Sequence, residues 1–335
     1  MVIFMHSVDL KKYSLRSDLI IEANLDYQKE SYEEDKIKVD YIHLDKKNVL
    51  NKRIGDYITI SFLDITDEDN FSKVLKILEK ELKRILKLTK IANDACGLII
   101  GLGNEKSTPD SLGHKTLKYI TVTRHLDKLN LLDKKYRNIS ILEPSVIGTT
   151  GIDSYEIIMG VIDKIKPDFI IAIDSLAAIN VERIEKTIQI TNTGIDPGSG
   201  IGNNRKELSF NTLNIPVIAI GVPTVVSSAV IVKDTINYLM KNISYHKKNL
   251  PKDKLILKGN LNYQNEKINL SNDEKEKLLG IVGTLSENEI MELIYEVLNP
   301  IGFNLVVSTK EIDFIIEKLG KLIALSLNHV LHNKM

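Results

Sequence analysis

The stretch GLIIGLGNEKSTPDSLG (97–113) decides how the chain is read. Its first six residues are apolar or glycine, a run of strand length. A strand that is apolar throughout is one buried on both faces. Behind it, Ser107 or Thr108 suits a helix cap and Pro109 suits the first turn. The same order recurs along the chain. ISILEPSVI (139–147) precedes SYEIIMGVIDKI (154–165), a helix for which Asp153 or Ser154 is the cap. DFIIAIDSL (168–176) precedes a short helix over VERIEKT (181–187), and IPVIAIGV (215–222) precedes a helix near 225–241. Upstream, YITISFLD (57–64) reads as a strand. Residues 70–92 read as an amphipathic helix, with apolar residues three and four apart. Downstream come a helix (286–298), a strand (304–308) and a helix (310–332). Apolar strands alternating with helices predict an α/β fold, a three-layer sandwich with a mostly parallel central sheet covered on both faces.

Three regions break the alternation. Residues 1–55 are polar and read as an arm followed by short strands. Residues 188–214 read as a long loop, a length that in compact domains marks function or disorder. Residues 243–275 are rich in Lys and Asn and read as an exposed insertion.

Apolar residues make up 43% of the 335, enough for a sizeable core. Basic and acidic residues number 45 each, so direct nucleic-acid binding is not expected. The apolar run after Met1 is too short for a signal-peptide core. No apolar stretch approaches the roughly 20 residues of a membrane span, so a soluble, cytoplasmic protein is expected. The single cysteine, Cys96, excludes an internal disulfide and reads as a small residue opening the strand.

Gly101 and Gly103 resemble the start of a phosphate-binding loop. A dinucleotide fingerprint needs a third glycine at the sixth position, which here is Lys106, and Asp110 would repel a pyrophosphate. Gly198 to Gly202 follow a polar loop rather than a strand and read as substrate-facing. His329 and His332 share a helix face, which reads as solvated more readily than as a metal site. No cofactor or metal is expected.

In open parallel sheets, ligands bind beyond the carboxyl ends of the strands. Three apolar strands lead there to Asp110, to Asp174, and to Gly221 with Pro223 and Thr224. Asp174 closes the run Phe169 to Ile173, so partial burial is expected, which disfavours the charged form. Asp110 sits in the first turn of the expected helix, where the dipole favours an anion. Two carboxyl groups under opposite pressures can serve as base and acid in one site. That reading makes Asp110 the base and Asp174 the acid, although which is which stays open if the two are coupled.

Several long motifs in order resemble the germination protease family of endospore-forming bacteria. They are GLGNEKSTPDSLG (101–113), VTRHL (122–126), GTTGIDSYEII (148–158), KPDFIIAIDSLAA (166–178), TIQITNTGIDPGSGIGNNRKELS (187–209), IPVIAIGVPTVV (215–226) and GIVGTL (280–285). The resemblance implies an atypical aspartic endopeptidase that degrades small acid-soluble spore proteins, with Asp110 and Asp174 as catalytic residues. It implies a fold similar to hydrogenase-maturation peptidases, a homotetramer and a spore-core location. It also implies a zymogen. Family substrates are cut after Thr/Ser-Glu and before Ile/Phe-Ala, and Ser17-Asp18-Leu19-Ile20 matches that junction, with Ile20 where the family has Ala. The domain reading is therefore a propeptide (1–18), cut between Asp18 and Leu19, and a single peptidase domain (19–335) carrying the insertion. Ile179 and Ser227 stand where relatives have Arg and Asp. Two other readings are a nickel-dependent maturation peptidase and a non-enzymatic module that binds spore proteins or nucleotide.

Overall fold

The computed structural model describes residues 18–23, 28–46, 52–197, 206–248, 263, 266–298, 300–301 and 305–332. Residues 1–17, which include most of the expected propeptide, and the glycine cluster 198–202 lie outside the described residues.

The strands are β1 (Gln28–Glu34), β2 (Ile37–Leu44), β3 (Gly55–Ser61), β4 (Gly97–Gly101), β5 (Ile139–Leu142), β6 (Phe169–Ala178), β7 (Thr187–Thr191), β8 (Val217–Ser227) and β9 (Val306–Val307). The α-helices are α1 (Glu68–Leu88), α2 (Leu112–Leu117), α3 (Arg124–Lys128), α4 (Ile147–Thr150) and α5 (Ser154–Ile165). They continue with α6 (Phe210–Leu213), α7 (Ser228–Lys248), α8 (Asn272–Leu279), α9 (Glu287–Leu298) and α10 (Ile312–His332).

The chain forms two compact units. The larger takes in Arg16–Ala178, Glu182–Val225 and Ser308–Met335. Its strands run in the order β1-β2-β3-β7-β8-β6-β4-β5. The fold is α/β, as the alternation predicts, and the sheet is mixed. β4 is parallel to both β5 and β6. β1, β2, β3, β7 and β8 pair antiparallel in succession.

Alternation along the strands builds three layers. Ile99, Phe169, Ile171 and Ile173 enter one core with Ile58, Ile60, Ile188 and Ile190, under residues of α1, α2 and α10. Leu98, Ile100, Ile170 and Ala172 enter a second core on the other face, under Ile158 and Ile162 of α5 and Leu213 of α6. Successive side chains on a strand point to opposite faces, so each of β4 and β6 feeds both cores. α5 begins where Asp153 caps it, its carboxylate accepting from the Tyr155 N–H at 2.8 Å. α1 begins on Asp67, which accepts from the Asn70 N–H at 2.8 Å.

Three readings from sequence need correction. Residues 187–191 are not the start of a loop but the strand β7, buried along its whole length. Thr-Ile-Gln-Ile-Thr alternates polar and apolar residues with period two, and its polar members are buried on the face away from the first core rather than exposed to solvent. β8 does not end at Gly221 but continues to Ser227, so Pro223 and Thr224 lie within it. Asp110 does not open an α-helix but ends a single 3-10 turn, Thr108–Asp110, and α2 begins two residues later. The helix-dipole argument for its charge therefore lapses.

The smaller unit takes in Ile179–Val181 and Val226–Val307. β9 pairs antiparallel with Val226 and Ser227 of β8. Met240 of α7 and Ile290, Met291 and Tyr295 of α9 are buried there. α8 opens on a capping box, with Ser271 accepting from the Glu274 N–H and the Glu274 carboxylate accepting from Ser271. Residues 249–262 of the expected insertion lie outside the described residues.

Candidate active site

β4 and β6 run side by side, with Gly101 opposite Ile173. The chain leaving β4 stays bound to β6: the Leu102 N–H donates to the Ile173 carbonyl at 2.8 Å. It then turns back on itself. The Asn104 N–H donates to the Asp110 carbonyl at 3.0 Å, and the Asp110 N–H to the Ser107 carbonyl at 2.8 Å. Gly103 makes this closure possible. Its φ is +97°, and a Cβ there would fall 2.0 Å from the Asp110 carbonyl oxygen and 2.9 Å from its Oδ1. The Asp110 carboxylate thus lies against Gly103, just past the end of β4 and next to Leu102, which is bonded to Ile173, the residue before Asp174.

The other glycines here serve packing. A Cβ on Gly101 would meet the Gly113 backbone at 2.7 Å, and one on Gly113 would meet Leu102 at 2.5 Å. They let α2 lie close against β4. Their role is close backbone approach, so the glycine pattern is accounted for without a phosphate.

Asp174 is buried, at 5% exposure. It follows Ile173, which points into the first core, so its side chain shares the opposite face with Ile170 and Ala172. Its Oδ1 accepts from the Ser175 N–H at 2.9 Å. The turn that ends on Asp110, beyond β4, and Asp174, on β6, are therefore at the same end of the parallel pair.

The third expected feature, the Asp18–Leu19 junction, is seated on the sheet. The Asp18 N–H donates to the Ala177 carbonyl of β6 at 3.2 Å. The Ala177 N–H donates back to the Asp18 carboxylate at 2.9 Å. The Asp18 carbonyl accepts from Gln189 Nε2 at 3.1 Å and from Lys52 Nζ at 3.4 Å. Gln189 Oε1 accepts from the Ile20 N–H at 2.7 Å. Leu19 and Ile20 are fully buried, and Ile20 packs with Ile42, Leu44 and Tyr57. Ile188 and Ile190 point into the first core, so Gln189 lies on the opposite face, the face that carries Asp174.

The surrounding charges are built in. Burial pulls the Lys52 ammonium below its usual range, and the Asp18 and Asp196 carboxylates draw it back up. Arg53 donates to Asp196, and to Glu207 at 2.8 Å. Ile195 and Leu208 exchange backbone hydrogen bonds at 2.9 and 2.8 Å, closing the base of the expected loop. Gly194, at φ +82°, permits that approach, since a Cβ there would lie 2.1 Å from the Leu208 carbonyl. Sequence reasoning missed Gln189, Lys52 and Ala177. The period-two pattern of 187–191 could have exposed Gln189 as a polar residue on a buried strand; nothing local marks Lys52.

The remaining candidates separate. His329 pairs with Glu79 at 2.6 Å, while His332 is buried and its Nε2 meets the Thr121 carbonyl at 2.9 Å, so the pair is not one solvated face. Among the described residues there is no group of three or more His, Cys, Asp or Glu that could hold a metal ion. The Cys96 N–H donates to the Asp168 carboxylate at 2.7 Å, a structural contact at the mouth of β4. Ser227 lies at the β8–α7 junction, where its hydroxyl accepts from the Val230 N–H at 3.4 Å.

A family model described as germination protease matches residues 16–335. The chain belongs to the germination protease family. The germination protease of Bacillus licheniformis is 41% identical over 353 residues, spanning 98% of this chain and 96% of that one. That of Bacillus mycoides matches with the same identity and coverage. Among solved structures, the hydrogenase maturation protease HycI of Thermococcus kodakarensis covers 43% of this chain and 80% of its own, at 16% identity and a TM-score of 0.29. A likeness that slight carries no argument about this fold. The family is a peptidase family, and no described helix is long and apolar enough to cross a membrane.

Proposed function

We propose that the chain is an endopeptidase of spore germination, acting on small acid-soluble spore proteins in the spore core. Asp110 and Asp174 activate the attacking water between them, one as base and one as acid. The chain is made as a zymogen that cuts itself between Asp18 and Leu19, and it works as a homotetramer. One observation supports this reading: the turn that carries Asp110 follows β4 at the end where β6 carries Asp174, and the Asp18–Leu19 peptide is hydrogen-bonded to Ala177 of β6 and Gln189 of β7.

The intact mass of the purified precursor, followed at mildly acidic and neutral pH beside Asp110→Asn and Asp174→Asn, tests it. Loss of residues 1–18 in the wild type, and in neither variant, is the expected result. Loss in all three would assign the cut to another nucleophile or protease. No loss in any would leave a protein that binds without cutting.

A further inference from the structure

The Asp18 carbonyl is held by two side chains, and the mechanism above uses neither. Gln189 is 7% exposed, and both ends of its amide are engaged on the same segment. Its Nε2 donates to the Asp18 carbonyl at 3.1 Å and its Oε1 accepts from the Ile20 N–H at 2.7 Å. Only one orientation of the amide satisfies both contacts. It therefore grips the peptide on either side of Leu19. Lys52 Nζ reaches the same carbonyl oxygen at 3.4 Å. The Ala177 N–H receives the Asp18 side chain at 2.9 Å, which positions an acidic residue before the bond.

We infer that Gln189 and Lys52 form the oxyanion-holding site of the self-processing cut, with the Ala177 N–H selecting an acidic residue on its acyl side. This rests on the Asp18–Leu19 reading above. When water adds to the Asp18 carbonyl carbon, the C=O π pair moves onto oxygen. That oxygen is already within reach of an amide N–H and an ammonium. Donors aimed at the point where charge develops stabilise the transition state more than the ground state. Collapse re-forms the C=O and breaks the C–N bond, and the Leu19 nitrogen takes the proton that water gave up. One water is consumed, and an Asp18 carboxyl and a free Leu19 amine are left. Partial desolvation of Lys52 strengthens its pull on the oxygen. Arg53, next in sequence, is not available for this step, because it is engaged by Asp196 and Glu207.

The test uses the full-length precursor and its self-cleavage rate, read by intact mass. The variants are Gln189→Met, which keeps the length but cannot donate, with Lys52→Met and Lys52→Arg. Far-ultraviolet circular dichroism checks that each is folded, and the Lys52 pair reads the same carbonyl should Gln189→Met not fold. Removing one such donor is expected to slow cleavage by about 10²-fold. Lys52→Arg, which still donates, should stay within about tenfold of the wild type. A peptide spanning the junction, given in trans to the matured protein, should show the loss in kcat with KM nearly unchanged. Cleavage of the folded Met variants at the wild-type rate would overturn the inference and leave the self-processing reading intact. A loss confined to KM would also overturn it, since it would make the two residues anchors only. A wild type that never cuts at Asp18–Leu19 would overturn the self-processing reading itself.

Discussion

The two halves of the sheet treat one face in opposite ways. In the parallel half, β4 and β6 present Leu98, Ile100, Ile170 and Ala172 to α5 and α6, and the only carboxyl group on that face of β6 is Asp174. In the antiparallel half, the same face carries Thr59, Gln189 and Thr191, buried and polar. The parallel half packs apolar side chains on both of its faces, and it supplies position. The antiparallel half supplies hydrogen-bonding groups that grip an extended peptide. A site that cuts peptides needs both, and the Asp18–Leu19 segment runs between them.

Substitutions in the two halves should therefore fail differently. The largest loss of stability belongs to the parallel half. Phe169→Ala removes a fully buried ring against which Gly97 packs, and should cost about 3–5 kcal/mol in denaturant unfolding. A cost under about 1 kcal/mol would mean that this half does not carry the packing ascribed to it.

Gly103→Ala comes next. A side chain at φ +97°, pressed on the Asp110 carbonyl, should cost about 1–3 kcal/mol. It should also lower self-cleavage well beyond the fraction unfolded, because it displaces Asp110. Equal losses of stability and cleavage would break the link between this turn and catalysis.

In the antiparallel half the informative variant is Asp56→Asn. Burial pushes the Asp56 carboxyl up, but hydrogen bonds from Tyr41, from His43 at 2.8 Å and from Asn192 at 2.8 Å outweigh it and hold the group below the usual carboxylate value. A depressed carboxyl stabilises the fold above its unfolded value of about 4, and that stability is lost as pH falls through the folded value. The variant should be less stable than the wild type by about 1–2 kcal/mol at neutral pH, with the gap closing toward pH ~3. A gap that widens in acid would reverse the sign.

The smallest effect is spectroscopic. Burial, reinforced by Glu81 for Tyr32 and by Asp56 for Tyr41, pushes both phenols up to about 12. An ultraviolet titration should find both ionising well above the ordinary tyrosine value of about 10, and Tyr41→Phe should remove one late step. Because the fold favours the neutral phenols, the stability they contribute is lost as pH rises from about 10 toward 12.

The same contrast explains what the sequence disclosed. α5 runs over the expected residues because its limits are local: Asp153 caps the start, and Lys166, at φ 48°, closes the end. β4 and β6 were legible because double burial demands unbroken apolar runs. β7 carries a local period-two pattern, but the burial of its Thr and Gln residues comes from a tertiary arrangement that no local window contains. Asp174 could be found from its strand, and Asp110 through the motif it shares with the family. Gln189 and Lys52 act on a segment far from either in sequence, so only the folded chain brings them together.

The most direct measurement is the hydrolysis of one purified small acid-soluble spore protein by the matured enzyme, wild type against Asp174→Asn, with melting temperatures taken in parallel. A fall in kcat/KM of about 10²–10⁴-fold with the melting temperature unchanged is the result predicted for a carboxyl group that moves a proton in the reaction. Wild-type turnover in the variant would contradict it and remove Asp174 from the chemistry.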